Sequence, residues 1–358
     1  MIDLYGWSDA LQTDFATYAA RGLLPARVTA QHRGLWRIVS PLGEAAGRLT
    51  GRFLSTAAPG DHPVVGDWLA VDVNADNGDA LIHAVLPRRT LFARRAAGGT
   101  GEIQNVAANV DVAFLVAALN GDLNLRRLER YLVAARDSGA MPVVVLTKCD
   151  LLDDPARAAE PVVAIAGGAP VVTLSANTGA GVEGLAPWLR AGVTVALLGS
   201  SGAGKSTLLN ALAGRALMDT GAIRESDDRG RHTTTHRELF RLPEGALMVD
   251  TPGMRELGLL AVDKALDASF EDVTALFATC RFGNCTHVSE PGCAIQGAIA
   301  EGALSVARWR AYLKLQRELD FGARKDDPVL EAANRQRWKQ IHKSQRARQK
   351  QRLRNEDE

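Results

Sequence analysis

The chain has 358 residues, more than one compact core accommodates, so two or three domains are expected. Its 46% hydrophobic content is that of a globular protein, and its longest apolar runs are strand-length, which argues against a membrane-spanning helix. Forty-two Lys and Arg against 41 Asp and Glu leave a net charge of +1, so any affinity for nucleic acid must come from local runs of charge.

Residues 1 to about 22 predict a short helix, with Leu4, Trp7, Leu11, Phe15 and Tyr18 on one face. From Pro25 to about Pro87, short β-rich pieces (26–29, 35–40, 45–52, 67–73 and 80–85) are separated by Gly, Pro, Asp and Asn. That is the texture of a small β-barrel of OB type. Residues 88–101, rich in Arg and Gly, are expected to form an exposed linker. From Asn109 the pattern alternates: strand 110–119, helix 125–138, strand 142–146, helix 156–166, strand 171–174, helix 182–189 and strand 193–198. A polar stretch, 219–235, leads to strands 237–242 and 246–249. A mostly parallel sheet covered on both faces is implied. Beyond Lys264 the chain reads as helical apart from a cysteine cluster.

Strand 193–198 runs into Gly199-Ser200-Ser201-Gly202-Ala203-Gly204-Lys205-Ser206, a G-x-x-x-x-G-K-S loop, and then into a helix through Thr207, Leu208, Leu209 and Leu212. The glycines let backbone N–H groups turn inward around an anion, and the helix start adds partial positive charge. Lys205 can reach β- and γ-phosphates, and the Ser206 hydroxyl can take Mg²⁺. Downstream, strand 247–249 ends in Asp250-Thr251-Pro252-Gly253. An Asp at that place holds Mg²⁺ through water, and a following glycine N–H binds a γ-phosphate. Between the two lies the polar loop 230–235, with hydroxyls available to close on the metal.

The stretch 143–150 is a strand ending in Thr147-Lys148-Cys149-Asp150, which resembles the guanine-specificity motif of GTPases. There the carboxylate accepts from guanine N1–H and the N2 amine, and the lysine stem lies along the purine. Ser175-Ala176, ending the next strand, resembles the second base-contacting motif. Thr147 stands where many GTPases have Asn. The base motifs precede the phosphate loop, so the sheet of an ordinary GTPase has been cut and rejoined, a change tolerated where termini lie at the surface. The segment from Asp250 to Gly258 then runs straight into the C-terminal region. Met254 occupies the place where many GTPases carry a water-orienting Gln, and His232 is the residue expected to do that work.

Three of the four cysteines lie within 280–293, in a chain that opens without a secretory pattern. Cys280, Cys285, His287 and Cys293 suit one closed, structural Zn²⁺ site in a reducing compartment. A last helix, 335–354, is rich in Lys and Arg and has no acid, which points to RNA phosphates.

In combination, GSSGAGKST, GRHTTT, DTPG and C-x4-C-x-H-x5-C resemble the bacterial ribosome small-subunit-dependent GTPase A family, over about residues 25–320. The resemblance implies a multidomain α/β fold. Its parts are an N-terminal helical extension (1–24), an OB-type barrel (25–90), a circularly permuted P-loop GTPase domain (105–260) and a zinc-binding helical domain (261–358). It also implies Mg²⁺ held by Ser206, by Thr233 or Thr234 and by Asp250 through water, in a cytoplasmic monomer that needs this metal with GTP, binds the 30S subunit and its 16S rRNA in late maturation, and releases itself or assembly factors on hydrolysis to GDP. Two rival readings are an ATP-using enzyme and a module whose nucleotide is only structural.

Overall fold

The computed structural model describes residues 1–32, 34–73, 79–95, 103–120, 123–215, 237–250 and 263–326. The N-terminal segment is two pieces rather than the one helix expected. A 3-10 turn, Ile2–Tyr5, stops at Gly6, whose φ of 84° and approach to the Gly192 carbonyl (2.5 Å from an added Cβ) exclude a side chain. Helix α1, Asp9–Ala19, starts anew under Ser8, whose side chain accepts from the Leu11 N–H. Leu11 and Phe15 are buried as expected, but Ile2 takes the inner place of Leu4, which is 51% exposed.

Strands β1 (Leu24–His32), β2 (Leu35–Ser40), β3 (Gly43–Leu49), β4 (Trp68–Val73) and β5 (Asp79–Val85) form the barrel. The order is β1-β2-β3-β5-β4, with β4 back on β1. All pairs are antiparallel except β3 with β5. A bulge between Val28 and Ala30 falls where the other edge of β1 passes from β4 to a later strand. Val28, Ile38, Leu69, Val71 and Ile82 fill the interior. The third strand ends at Leu49, short of the expected residue 52. Thr50 caps a short helix α2, Gly51–Thr56, instead.

The stretch read as a linker, 88–101, carries a strand in its described part, 88–95. Strand β6 (Leu91–Arg95) pairs antiparallel with β7 (Ile103–Ala108), and Phe92 is buried. Arg88 is not solvated either: Nε and Nη2 each lie 2.8 Å from the two oxygens of buried Asp67. Periodicity over so short a run cannot report a long-range ion pair.

Strands β8 (Val112–Ala118), β9 (Met141–Thr147), β10 (Val171–Thr173), β11 (Thr194–Leu198), β12 (Arg237–Arg241) and β13 (Leu247–Asp250) build the second sheet. Their order is β10-β9-β8-β11-β13-β12, parallel except for β12. Ala113 and Leu115 face helices α3 (Leu125–Asp137) and α4 (Pro155–Ile165), while Val112, Phe114 and Val116 face α5 (Lys205–Ala213). Residues Val182–Trp188 form a 3-10 turn rather than an α-helix, with Gly184 and Pro187 inside it.

Strand β12 also pairs with β1, through Ala30–Glu238 and Gln31–Arg237, so the barrel and the parallel sheet are hydrogen-bonded into one. Arg27 fastens the same junction. Its guanidinium donates to the carbonyls of Gly66, Asn109 and Tyr5 and to Thr194 Oγ1, and it lies 5.1 Å from the Trp68 ring centre. Burial pushes its pKa down to about 10, so it stays charged at neutral pH.

The C-terminal part contains α6 (Asp263–Ser269), α7 (Glu271–Thr274), α8 (Ala294–Ala300) and α9 (Val306–Asp326). It docks on α3. Buried Arg308 donates to Glu129 Oε1 (2.8 Å), both Asp272 oxygens (2.8 and 3.0 Å) and the Ser269 carbonyl (2.7 Å). Its guanidinium lies 3.9 Å from the Phe270 ring centre. Arg130–Glu318 and Arg136–Ser269 add to this seam.

Candidate nucleotide site and metal centre

The phosphate loop leaves the sheet from β11, between β8 and β13, where the parallel strands point their C-terminal ends at one place. Gly199 is pressed on β8: a Cβ there would lie 2.3 Å from the Val116 carbonyl oxygen. Gly202 and Gly204 have φ of 77° and 87°, and Gly204 caps α5, whose first-turn Leu208 N–H reaches the Gly204 carbonyl. Lys205 Nζ arches over the loop and donates to the carbonyls of Gly199 (2.7 Å) and Ser200 (2.5 Å). Ser206 and Thr207 are half-buried in the first turn of α5. The loop therefore offers an ammonium and a helix start on one concave face, the chemistry an oligophosphate needs. A cavity of about 20 Å³ separates Ser200–Ala203 from Asn124, Arg127 and Tyr131 of the α3 region. Sequence reasoning did not find these α3 residues, since nothing local marks them.

The base segment follows β9. Thr147 is its buried last residue, Lys148 is left-handed with φ 61°, and Cys149–Leu151 form a 3-10 turn that leaves Asp150 exposed. The Cys149 N–H donates to the Leu174 carbonyl, which ties the segment to the end of β10. There Ser175 is buried, its N–H on the Ala180 carbonyl and its Oγ accepting from Thr178 N–H, and Ala176 is half-buried beside it. Thr147 Oγ1 donates across to the phosphate loop, 2.7 Å from the Ala203 carbonyl. The spacing of the motifs gave no hint of that link.

Asp250 ends β13, the strand beside β11, so its backbone stands next to the phosphate loop strand. His232, Thr233, Thr234 and Gly253 lie outside the described residues, as does the basic stretch 335–354.

The cysteine cluster closes as its spacing suggests. One ligand atom from each of Cys280, Cys285, His287 and Cys293 lies within 4.8 Å of the other three. His287 Nδ1 is 3.5 Å from Cys280 Sγ and 3.6 Å from Cys293 Sγ. The edges of a ZnS₃N tetrahedron are about 3.5–3.8 Å, from Zn–S and Zn–N distances of about 2.3 and 2.0 Å. His287 is held in this pose by a positive φ of 62° and by stacking on Phe277 at 4.6 Å. Desolvation disfavours the Cys280 thiolate, but the Ala294 N–H and the neighbouring thiols outweigh it and its pKa falls. Cys285 is pushed up to about 11 by desolvation together with the other two thiols. Three sulfurs this close ionise together only around a cation, so the donor set fits a divalent metal.

Among the described residues no helix is long and apolar enough to cross a membrane. The family model described as RsgA GTPase matches residues 85–260. A protein of Opitutus terrae, "Small ribosomal subunit biogenesis GTPase RsgA", is 52% identical, over 96% of this chain and 97% of its own length. One of the same name from Methanosarcina acetivorans is 40% identical, over 94% and 90%. Among solved structures, YjeQ from Thermotoga maritima is 27% identical with a TM-score of 0.63, covering 83% of this chain and 98% of its own. YloQ, described as a circularly permuted GTPase, is 23% identical with a TM-score of 0.60, covering 83% and 95%, and bears on the fold alone.

Proposed function

The chain belongs to the RsgA GTPase family, and from that premise we propose that it hydrolyses GTP to GDP in late maturation of the small ribosomal subunit. The observation that carries the reading is the meeting of the phosphate loop after β11 with the Thr147–Asp150 segment after β9, bonded to each other through Thr147 and Ala203. In this reading Gly199–Thr207 hold the phosphates, Thr147–Asp150 with Ser175 and Ala176 hold the base, and the Gly253 N–H meets the γ-phosphate. Ser206, Asp250 and either Thr233 or Thr234 would hold Mg²⁺, which when bound offsets charge on the phosphates. His232 orients the attacking water, the task that Met254 cannot perform.

The working parts are the extension 1–24, the barrel 25–90, the permuted domain 105–260 and the zinc-binding domain 261–358. One structural Zn²⁺ would be held by Cys280, Cys285, His287 and Cys293, and when bound it supplies folding energy to that domain. The protein acts as a cytoplasmic monomer on the 30S subunit and its 16S rRNA, gripping RNA with the barrel and the basic C-terminal stretch. The γ-phosphate orders 230–235 and 250–258, and the second of these leads directly into the zinc-binding domain. Hydrolysis relaxes both and releases the grip. The deciding experiment is GTP turnover against added 30S subunits, with ATP as competitor. Turnover that rises with subunit concentration and ignores ATP is expected. A flat response refutes the ribosomal part of the reading, and equal use of ATP refutes the guanine part.

A further inference from the structure

Thr147 is 1% exposed, and its hydroxyl stands between two carbonyl oxygens, Ala203 at 2.7 Å and Ala117 at 3.4 Å. Both neighbours are acceptors, and a hydroxyl has one proton to donate. The side chain is also shut in from the loop side. An added Cβ on Gly204 would meet its Oγ1 at 3.3 Å, its Cβ at 3.6 Å and its Cγ2 at 3.8 Å. The threonine is packed against the phosphate loop with its donor already committed.

Guanine offers two kinds of handle. Its N1–H and N2 amine are donors, suited to the Asp150 carboxylate, whereas N7 on the opposite edge is an acceptor and needs a donor from the protein. An asparagine at position 147 has two amide protons, enough for the Ala203 carbonyl and for N7 together. Threonine has one. We infer that Thr147 spends its only proton on the phosphate loop and that this protein reads guanine without a hydrogen bond to N7. Thr147 is thus a specificity-determining residue by what it leaves unread, and its positive role is to hold the base strand and the phosphate loop in register. The inference rests on the guanine reading above.

The test uses the full chain and three diphosphates, GDP, 7-deaza-GDP and ADP, with dissociation constants measured by titration calorimetry. The 7-deaza compound replaces N7 by C–H and leaves the N1–N2 edge intact. The wild type is expected to bind GDP and 7-deaza-GDP within about twofold and to reject ADP. Thr147→Asn is expected to gain a preference for GDP over 7-deaza-GDP of about three- to tenfold, the worth of one hydrogen bond. Thr147→Val, which cannot donate to Ala203, is expected to weaken both guanine nucleotides equally. A wild-type preference for GDP of tenfold or more, with ADP still rejected, overturns the inference and leaves the guanine reading standing. ADP binding as tightly as GDP overturns the guanine reading first, and this inference with it. The wild-type measurements decide the matter even if neither variant folds.

Discussion

Replacing Arg308 by Met tests what holds the C-terminal helices α6, α7 and α9 to α3. The guanidinium serves two carboxylates that differ in exposure: the Glu129 side chain is 4% exposed and that of Asp272 is 49%. On the Asp272 side water compensates, so that loss is about 1 kcal/mol or less. On the Glu129 side a carboxylate is stranded. Its Oε2 has no hydrogen-bond partner among the described residues, and the nearest other cation, Arg126, is 3.8 Å away. Leaving a buried charge unpaired costs about 3–5 kcal/mol. Methionine recovers part of the apolar contact with Phe270, so a net loss of about 3 kcal/mol is expected, or about a hundredfold in the local opening constant. Hydrogen exchange read by mass spectrometry reports that constant for α6 and α9 separately from the barrel. Exchange in α6 and α9 should rise about a hundredfold, while β1–β5 stay unchanged. Adding Glu129→Leu to Arg308→Met removes the stranded charge and should restore most of the protection. A double variant no better protected than the single one refutes this account of the seam.

Four further outcomes are expected. Gly199→Ala places a methyl 2.3 Å from the Val116 carbonyl, so the phosphate loop must shift; GDP affinity should fall at least about tenfold with little change in melting temperature, and unaltered affinity contradicts the role given to this contact. His232→Ala should lower turnover by about a hundredfold while leaving GTP affinity intact, as single-turnover kinetics will show. Asp150→Asn should move preference from guanosine toward xanthosine nucleotides in competition binding, because the amide donates where the carboxylate accepts. Chelation at neutral pH should release about one zinc ion per chain and raise hydrogen exchange around Cys280–Cys293 while sparing the phosphate loop; no metal in the released fraction counts against the zinc reading.

The motifs were legible because each is a contiguous run whose local backbone does the work. Gly199–Ser206 forms a loop wherever a strand delivers it to a helix, and Cys280–Cys293 brings its ligands together within one short stretch. The order of the motifs along the chain already implied the permuted sheet that β10-β9-β8-β11-β13-β12 displays. Strand texture likewise disclosed the barrel, though not where β3 gives way to α2. The N-terminal helix was misread because Gly6 must pass against Gly192, a neighbour 186 residues away in the chain that no local periodicity can register.

Other decisions belong to the folded chain alone. Arg27 reaches Thr194 across 167 positions, Arg308 reaches Glu129 across 179, and Thr147 reaches Ala203 across 56. Each bond depends on the register of strands and the packing of helices far apart in sequence, and at the level of composition each of these residues is only another arginine, glutamate or threonine. Local conformation was encoded in the runs of residues. The partner of a buried polar group was settled only when the whole chain closed around it, since burial is what compels such a group to find one.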